Sequence, residues 1–486
     1  MDKYHFKSQN ECLKSINSVS HPKYKTFKTI IKFAADTDDL NKLISIRNKN
    51  ATHKNKSSNK TKFEDKSIES YYSKLDKLKF YRKLDKSSFN NTLLYLFYKI
   101  GSGIFVKIVD NKINMFYPFY NINYKNNWSL KFENAASFDE YVKRKRPDDY
   151  KYNTNTWSMN GCLVNNWKIN SINDGRWAEY YDIIRSVCKH RKVNNVEFFI
   201  NYRDFPSINR KLNEPNFFVY DKMNQNMTEC KFKSYLPILS CYSSPIYADY
   251  PIPSYTEWKM ITKKFYADSS KFACQNKQIN VKKIPWNKKV PTAVFRGSAT
   301  GCGITPDTNQ RLKISLLSKN WKEDVRYNEQ NNIDGIPFLN AGIVSYNVRD
   351  KKDLGKPIDF INIKKLNIPK VNYLTGDEQQ RYKYVVYIDG HVTAERLITE
   401  LNSGSVILKV ESLYNWIQWF HPLLKPYIHY VPVKKDLSDL ADQIQWCKVN
   451  DDKCKKIVEN ALKLYSKINS KNYILDHMAT IFNRIN

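Results

Sequence analysis

From residue 290 onward, apolar runs of strand length alternate with segments of helix length, and this rhythm limits the fold more than any other feature. The runs are PTAVFRGS (291–298), RLKISLLSK (311–319), KYVVYIDG (383–390), AERLITELN (394–402) and SVILKV (405–410). They continue through the Trp-rich YNWIQWF (414–420), IHYVPV (428–433), LSDLADQIQWCKV (437–449) and KCKKIVENALKLYSKI (453–468). Strands that are apolar along their whole length need cover on both faces, and an intervening helix carries the chain back to start a parallel neighbour. The pattern predicts a doubly wound parallel sheet. YNWIQWF reads as a helix, and so does 437–449, with Ser438 as its cap and acidic residues in its first turn. In open sheets of this kind ligands sit beyond the carboxyl ends of the strands. Polar residues at strand ends are therefore the ones to weigh.

The front half is less regular. IFVKIV (104–109), Asp110-Asn111-Lys112 and INMFYPF (113–119) predict a β-hairpin. RWAEYYDIIRSVCKHR (176–191) has apolar residues at helical spacing and a basic end that suits the helix dipole, and it leads into the strand-like VEFFINYRDFP (196–206). Residues 140–175 are polar and Trp-studded, hence irregular, and RNKNATHKNKSSNKTKFEDKS (47–67) reads as a basic tether or loop.

Composition narrows the function classes. The 486 residues carry a net charge of +32, with 41% hydrophobic and 14% aromatic residues, which excludes wholesale disorder. No apolar run reaches the roughly 18 residues of a membrane-spanning helix. The opening MDKYHFKSQNECLKS has no apolar core of a signal peptide, so the expected location is cytoplasmic, a viral assembly site or a virion. The charge suits a polyanionic partner: nucleic acid, an anionic membrane surface or a phosphate-bearing small molecule. It is also the usage an AT-rich genome imposes, rich in Lys, Asn, Ile and Tyr. No nucleic-acid-binding motif accompanies it, so nucleic acid is not the expected partner. The 9 cysteines are scattered without a CxxC pair and read as reduced thiols with no structural metal site.

Three strand ends carry candidate chemistry. In FRGSATGCG (295–303), Arg296, Gly297 and Ser298 with Arg311 downstream offer N–H groups, a hydroxyl and cations to an anion. The Lys-Ser/Thr ending of a P-loop is absent, and a glycine turn with a nearby Arg is also an ordinary structural feature. In IDGHVTAER (388–396), Asp389-Gly390 ends a strand and Arg396 falls in the first turns of the next helix, a combination that suits a diphosphate. A plain Asp-Gly turn with a surface Arg reads the same way. In FFINYRDFP (198–206), Asp204 is placed to act as a general base with Arg203 keeping it ionised, or the two form a surface pair. Asp36-Thr37-Asp38 reads as a loop or helix-start cluster, and His421 and His429 as packing or capping histidines. No GxSxG elbow is present.

Taken in order and spacing, RDFP, FRGS with Arg311, YKYVVYIDGHVTAERL, ELNSGSVILKV and LKPYIHYVPVKKDLSDL resemble glycosyltransferase family 90. That family comprises the fungal capsule-associated (CAP10-domain) enzymes, the lipopolysaccharide-modifying transferases and the protein O-glucosyltransferases. The resemblance is strongest over 290–470 and extends back to about 190. LLYLFYKIGSGIFVKI and the hairpin after it look like an extension of large-DNA-virus relatives. The resemblance implies a GT-B-like α/β fold of two Rossmann-like, doubly wound domains facing a cleft, behind a basic N-terminal extension. The expected divisions are 1–90, 91–285 with the hairpin as an insertion, and 286–486. It implies a UDP-sugar donor, a glycan or protein hydroxyl acceptor, inversion, and neither cofactor nor catalytic metal. Asp204 matches the catalytic base. Arg203, Ser298 and Arg311 match donor contacts, as does the run His391, Val392, Thr393, Ala394, Glu395 and Arg396, with Arg296, Gly297, Asp389 and Gly390 as phosphate-loop candidates. The acceptor segment is expected within SSPIYADYPIPSYTEW (243–258), which departs from the enzymes acting on EGF repeats. The alternative is a basic virion or nucleic-acid-associated protein whose transferase site has decayed.

Overall fold

A computed structural model describes residues 43–45, 47–48, 63–76, 86–100, 102–120, 176–208, 234–262, 284–332, 335–346 and 361–485. Asp36-Thr37-Asp38, the stretch 140–175 and most of 47–67 lie outside them. The described residues up to 262, together with 470–485, form one compact unit, and those from 284 to 469 form another.

The first unit contains α1 (Lys66–Asp76), α2 (Lys86–Tyr95), β1 (Ser102–Val109), β2 (Lys112–Tyr120), α3 (Arg176–His190), β3 (Val196–Asn201), β4 (Ile238–Ser240), β5 (Tyr250–Pro251) and α4 (Tyr255–Thr262). The hairpin turn is as the sequence predicts. Asp110 and Asn111 both take positive φ, 48° and 60°, the geometry whose twist matches the flanking strands. Asn111 then ties the turn to the end of α3, with its carboxamide donating to Arg191 O (2.9 Å) and accepting Val193 N (2.7 Å).

The sheet runs β2-β1-β3-β4-β5. β1 is antiparallel to both β2 and β3, while β3, β4 and β5 are parallel. The hairpin, expected as an insertion, is instead two of the five strands of this sheet. A two-residue turn can only return the chain antiparallel, so the sheet becomes mixed once that hairpin joins it. All eight residues of β1 are buried. Phe89, Phe105 and Phe199 pack ring against ring at 4.8–5.8 Å, and Tyr180, Ile183, Ile184 and Val187 of α3 are buried.

The second unit contains β6 (Val290–Ser298), α5 (Gln310–Glu323), β7 (Leu339–Ser345), β8 (Tyr382–Tyr387), α6 (Leu397–Glu400), β9 (Val406–Val410), β10 (Val431–Val433), α7 (Leu440–Val449) and α8 (Asp451–Ile468). Its sheet, ordered β10-β9-β8-β6-β7, is parallel throughout. The doubly wound expectation holds here. The chain leaves β6 toward β7 on one side and returns to β8 on the other, so strand order reverses between β6 and β8. Together the two α/β units make a GT-B-like chain.

Local expectations fail at four places in this unit. YNWIQWF is not helical: Asn415 takes φ 54°, Ser412 Oγ accepts Trp416 N (2.9 Å), and Trp416, Trp419 and Phe420 are buried in an irregular turn. The helix read from AERLITELN is only Leu397–Glu400, because Tyr387 OH holds Ala394 by its N–H (2.8 Å) and its carbonyl (3.2 Å) outside it. In IHYVPV only Val431–Val433 pairs as a strand. Ser438 does not cap α7: its hydroxyl donates to Asp436 Oδ1 (2.8 Å), and Asp439 holds the cap position.

The final helix, α9 (Lys471–Arg484), was assigned by sequence to the second domain, but its contacts place it in the first unit. Phe482 stacks on Phe198 (4.9 Å), and Arg484 binds Glu69 Oε2 (2.8 Å) and Asp76 Oδ2 (2.5 Å) of α1. Sequence adjacency cannot reveal such a return, since the partners lie some four hundred residues apart. Arg484→Met keeps the stem but strands both carboxylates. We expect a loss of about 2 kcal/mol, below the ~3–5 kcal/mol of a fully buried pair, because Glu69 remains 25% exposed. The measurement is urea unfolding followed by near-UV dichroism.

Candidate functional site

The loop from β6 to α5 is wound tightly onto the start of that helix. Asn309 Oδ1 accepts Arg311 N (3.0 Å) and Leu312 N (3.3 Å), and its Nδ2 donates to Gly303 O (3.2 Å) and Thr300 O (3.3 Å). Gly303 takes φ +80°, and a Cβ there would lie 2.2 Å from Thr308 O, so glycine is required. A Cβ on Gly301 would lie 3.4 Å from Gly390 O, so the two glycine turns of the sequence analysis touch. Thr300, Gly301, Arg311, Asp389, Gly390 and Trp416 line a shallow cavity between them.

Arg311 braces this corner. Its guanidinium is buried and donates to Ser298 O (3.0 Å), Ile388 O (3.0 Å) and Asp389 O (2.7 Å), the last carbonyls of β6 and the two after β8. Burial pushes its pKa down to about 9, and the neighbouring Arg396 pushes the same way, yet it stays charged at neutral pH. Both guanidinium groups flank the Phe295 ring, at 5.8 Å for Arg311 and 5.0 Å for Arg396.

Arg396 stands at the cap position of α6, not in its first turns. A helix of four residues brings little dipole, so any affinity for anions here rests on side chains. Arg396 Nη1 donates to Arg296 O (2.7 Å) and Nε pairs with Glu400 Oε1 (3.2 Å), while Nη2 is buried with no hydrogen-bond partner among the described residues. Glu400 is a functional neighbour the sequence reading missed. Its i,i+4 spacing from Arg396 was a usable signal.

The other candidates divide. The Ser298 hydroxyl accepts one from Ser345 (2.7 Å), and Gly297 packs beside Arg311. His391 Nδ1 accepts Gly301 N (3.4 Å), and Gly390 N bonds Val392 O (2.7 Å), closing the turn. Val392 and Thr393 are buried, with Thr393 Oγ1 unpartnered among the described residues, and Glu395 is exposed. Asp389 accepts Tyr387 OH (3.2 Å). Burial raises its pKa, and the charge of Lys409 opposes that rise. Arg296 turns away: its guanidinium serves Asn372 O (3.0 Å), Asn340 O (2.8 Å) and Asn340 Oδ1 (2.8 Å). It therefore knits β6 to β7 instead of facing the cavity.

Arg203 and Asp204 follow β3 in the first unit. Asn201 is buried, accepts Arg203 N through Oδ1 (3.0 Å) and donates to Phe205 O (2.6 Å), bracketing Asp204 from either side. Arg203 Nε donates to Ser102 Oγ (3.0 Å), and Asp204 is exposed. Across 243–258 the side chains are mostly buried, and Pro245 alone is exposed. Among the described residues no three His, Cys, Asp or Glu side chains gather as metal ligands, and no helix is long and apolar enough to cross a membrane.

The second unit is thus a parallel sheet with arginines and glycine turns at its switch point, and the first is an α/β unit that presents a carboxylate turn. The chain belongs to glycosyl transferase family 90, whose model matches residues 178–485. It is 38% identical over 444 residues to uncharacterized protein 179R of Invertebrate iridescent virus 6, covering 81% of this chain and 37% of that protein. To mouse protein O-glucosyltransferase 3 it is 27% identical over 278 residues, covering 57% of this chain and 44% of that enzyme. The chain thus spans about 37% of its viral relative's length. Among solved structures TarM matches with a TM-score of 0.27 at 15% identity, over 42% of this chain and 38% of that one. The viral relatives accord with the large-DNA-virus resemblance read from the sequence.

Glu400 supplies a pH test of this corner. Burial pushes its carboxyl from 4.5 up to about 7, against the pull of Arg396 and Arg311. A raised native pKa means that the folded chain binds this proton more tightly than the unfolded one. This group's contribution to stability is thus full below about 4.5 and is lost as pH rises through about 7. Melting temperatures between pH 5 and 8 should fall less steeply in Glu400→Gln than in the parent, and equal slopes would contradict the assignment.

Proposed function

We propose that this chain transfers a hexose or pentose from a UDP-sugar to a hydroxyl acceptor, with inversion, without a catalytic metal, and with Asp204 as general base. The observation that carries the donor half is the corner between β6 and β8, where Arg396 keeps a buried Nη2 with no hydrogen-bond partner among the described residues, beside two touching glycine turns. In inverting transfer the acceptor hydroxyl loses a proton as the new bond forms, the sugar turns oxocarbenium-like, and the leaving diphosphate gains charge. Preorganised cations and N–H groups meet that charge most effectively in a site already desolvated. Arg396 suits direct contact. Arg311, its N–H groups largely engaged with carbonyls, acts at short range as a fixed positive charge and keeps the two turns in place.

An exposed carboxylate on a braced turn is a reasonable base for a hydroxyl that arrives from solvent, and Asp204 is one. Membership in family 90 and the likeness to protein O-glucosyltransferases support the transferase reading. Glycan or protein acceptors are both compatible with it.

The test is UDP release across a panel of UDP-sugars with and without acceptors, in the presence of a chelator. Asp204→Asn should lower transfer by about a thousandfold and leave UDP affinity unchanged. Wild-type turnover in that variant would reject Asp204 as the base. Arg396→Ala should weaken UDP binding by about ten- to a hundredfold, the worth of a charge-assisted hydrogen bond. An unaltered UDP titration would remove Arg396 from the donor site.

A further inference from the structure

Asp204 is the one exposed residue between the buried Asn201 and Ile208, with Tyr202 and Arg203 half-buried. An exposed carboxylate at a loop tip keeps one position only if the loop is fixed from beneath. Asn201 fixes the near side, as described above. The far side ends on Asp249, which lies just before β5 and is 0% exposed. Asp249 Oδ1 accepts Ser207 N (2.6 Å) and the Ser240 hydroxyl (2.6 Å), and Oδ2 accepts Ile208 N (2.8 Å). Ser240 Oγ in turn accepts Asn201 Nδ2 (3.2 Å), which closes the circuit from one side of the turn to the other. Ala248 N reaches Ile208 O (3.0 Å) and adds a backbone brace beside the carboxylate.

A buried carboxylate is costly to keep, and the donors on this one are neutral: two backbone amides and a hydroxyl. Burial pushes its pKa up to about 6 in spite of the donors gathered on it. Three donors on two oxygens suit a carboxylate, whereas an amide of the same shape offers one oxygen and sets an NH2 against a donor.

We propose that Asp249 is the positioning residue of the Asp204 turn: it locks the Ser207 and Ile208 amides so that Asp204 is held at a fixed height above the sheet. The proposal rests on the reading of Asp204 as the base. It assigns to the segment 243–258 a part in setting the base, through a residue that touches neither donor nor acceptor.

Asp249→Asn is the principal test. The turn should shift by a fraction of an ångström or more, and kcat should fall by about a hundredfold, as displaced catalytic groups do. KM for the donor and UDP affinity should stay within about twofold, because the loss is confined to the transition state. Ser240→Ala removes one donor and leaves both amides anchored, so its fall in kcat should be clearly smaller, about three- to tenfold. Hydrogen exchange of the Ser207 and Ile208 amides provides a readout independent of catalysis and should accelerate in both variants, more in Asp249→Asn. A folded Asp249→Asn with parental kcat, or with unchanged exchange at Ser207 and Ile208, overturns the proposal. If Asp249→Asn does not fold, Ser240→Ala decides, and parental kcat with parental exchange in it is the overturning result. Should Asp204→Asn itself retain turnover, the base reading fails separately, while the exchange rates still report whether Asp249 holds the turn.

Discussion

The second unit depends on a buried guanidinium. At the carboxyl ends of adjacent parallel strands, carbonyls leave the ladder with no partner, and a crevice opens where strand order reverses. Arg311 fills that need with three hydrogen bonds, to Ser298, Ile388 and Asp389. A planar group with five donors in a fixed fork can span two strand ends, as a lysine cannot. Because the guanidinium is fixed, both glycine turns are fixed, Gly301 lies against Gly390, and Arg396 finds its place over Phe295. The arrangement concentrates positive charge in a site with Glu400 and Asp389 as the nearby carboxyls, both with raised pKa.

The first unit solves a comparable problem with the opposite charge. There a buried carboxylate, Asp249, collects the N–H groups of a turn, while Asn201 spans the residue at its tip. In each unit a buried polar side chain organises the loop after a strand. The cost of burying the organiser is offset by hydrogen bonds that exist only when the loop has one shape. That selects a single loop geometry, which is what catalysis needs more than added stability.

Parts of this were legible from residues alone, because they follow from short-range rules. The hairpin at Asp110-Asn111 came from turn chemistry, and α3, α8 and the strands at 196–201, 290–298, 382–387 and 406–410 came from apolar patterning. The strand-end arginines and glycines were visible as residue types in suggestive places. Their roles were not. Arg296 and Arg311 look alike in sequence, one two residues before a strand's end and the other at a helix start. Only their partners show that Arg296 knits β6 to β7 while Arg311 braces β6 to β8. YNWIQWF misled for a related reason: aromatic spacing indicates burial, and burial in an irregular turn has the same signature as burial on a helix face. β7 went unread since LNAGIVS lacks a strong β-branched run.

By itself, then, the sequence determined the α/β class, the parallel character of the second sheet and the family, because periodicity and motif order are local properties that survive without coordinates. Tertiary structure decided the rest. The reversal of strand order between β6 and β8, the return of α9 to the first unit, and the circuit of Asn201, Ser240 and Asp249 all join residues far apart in the chain. Such pairings are set by which buried donors and acceptors can satisfy one another in three dimensions, and no spacing along the chain encodes that.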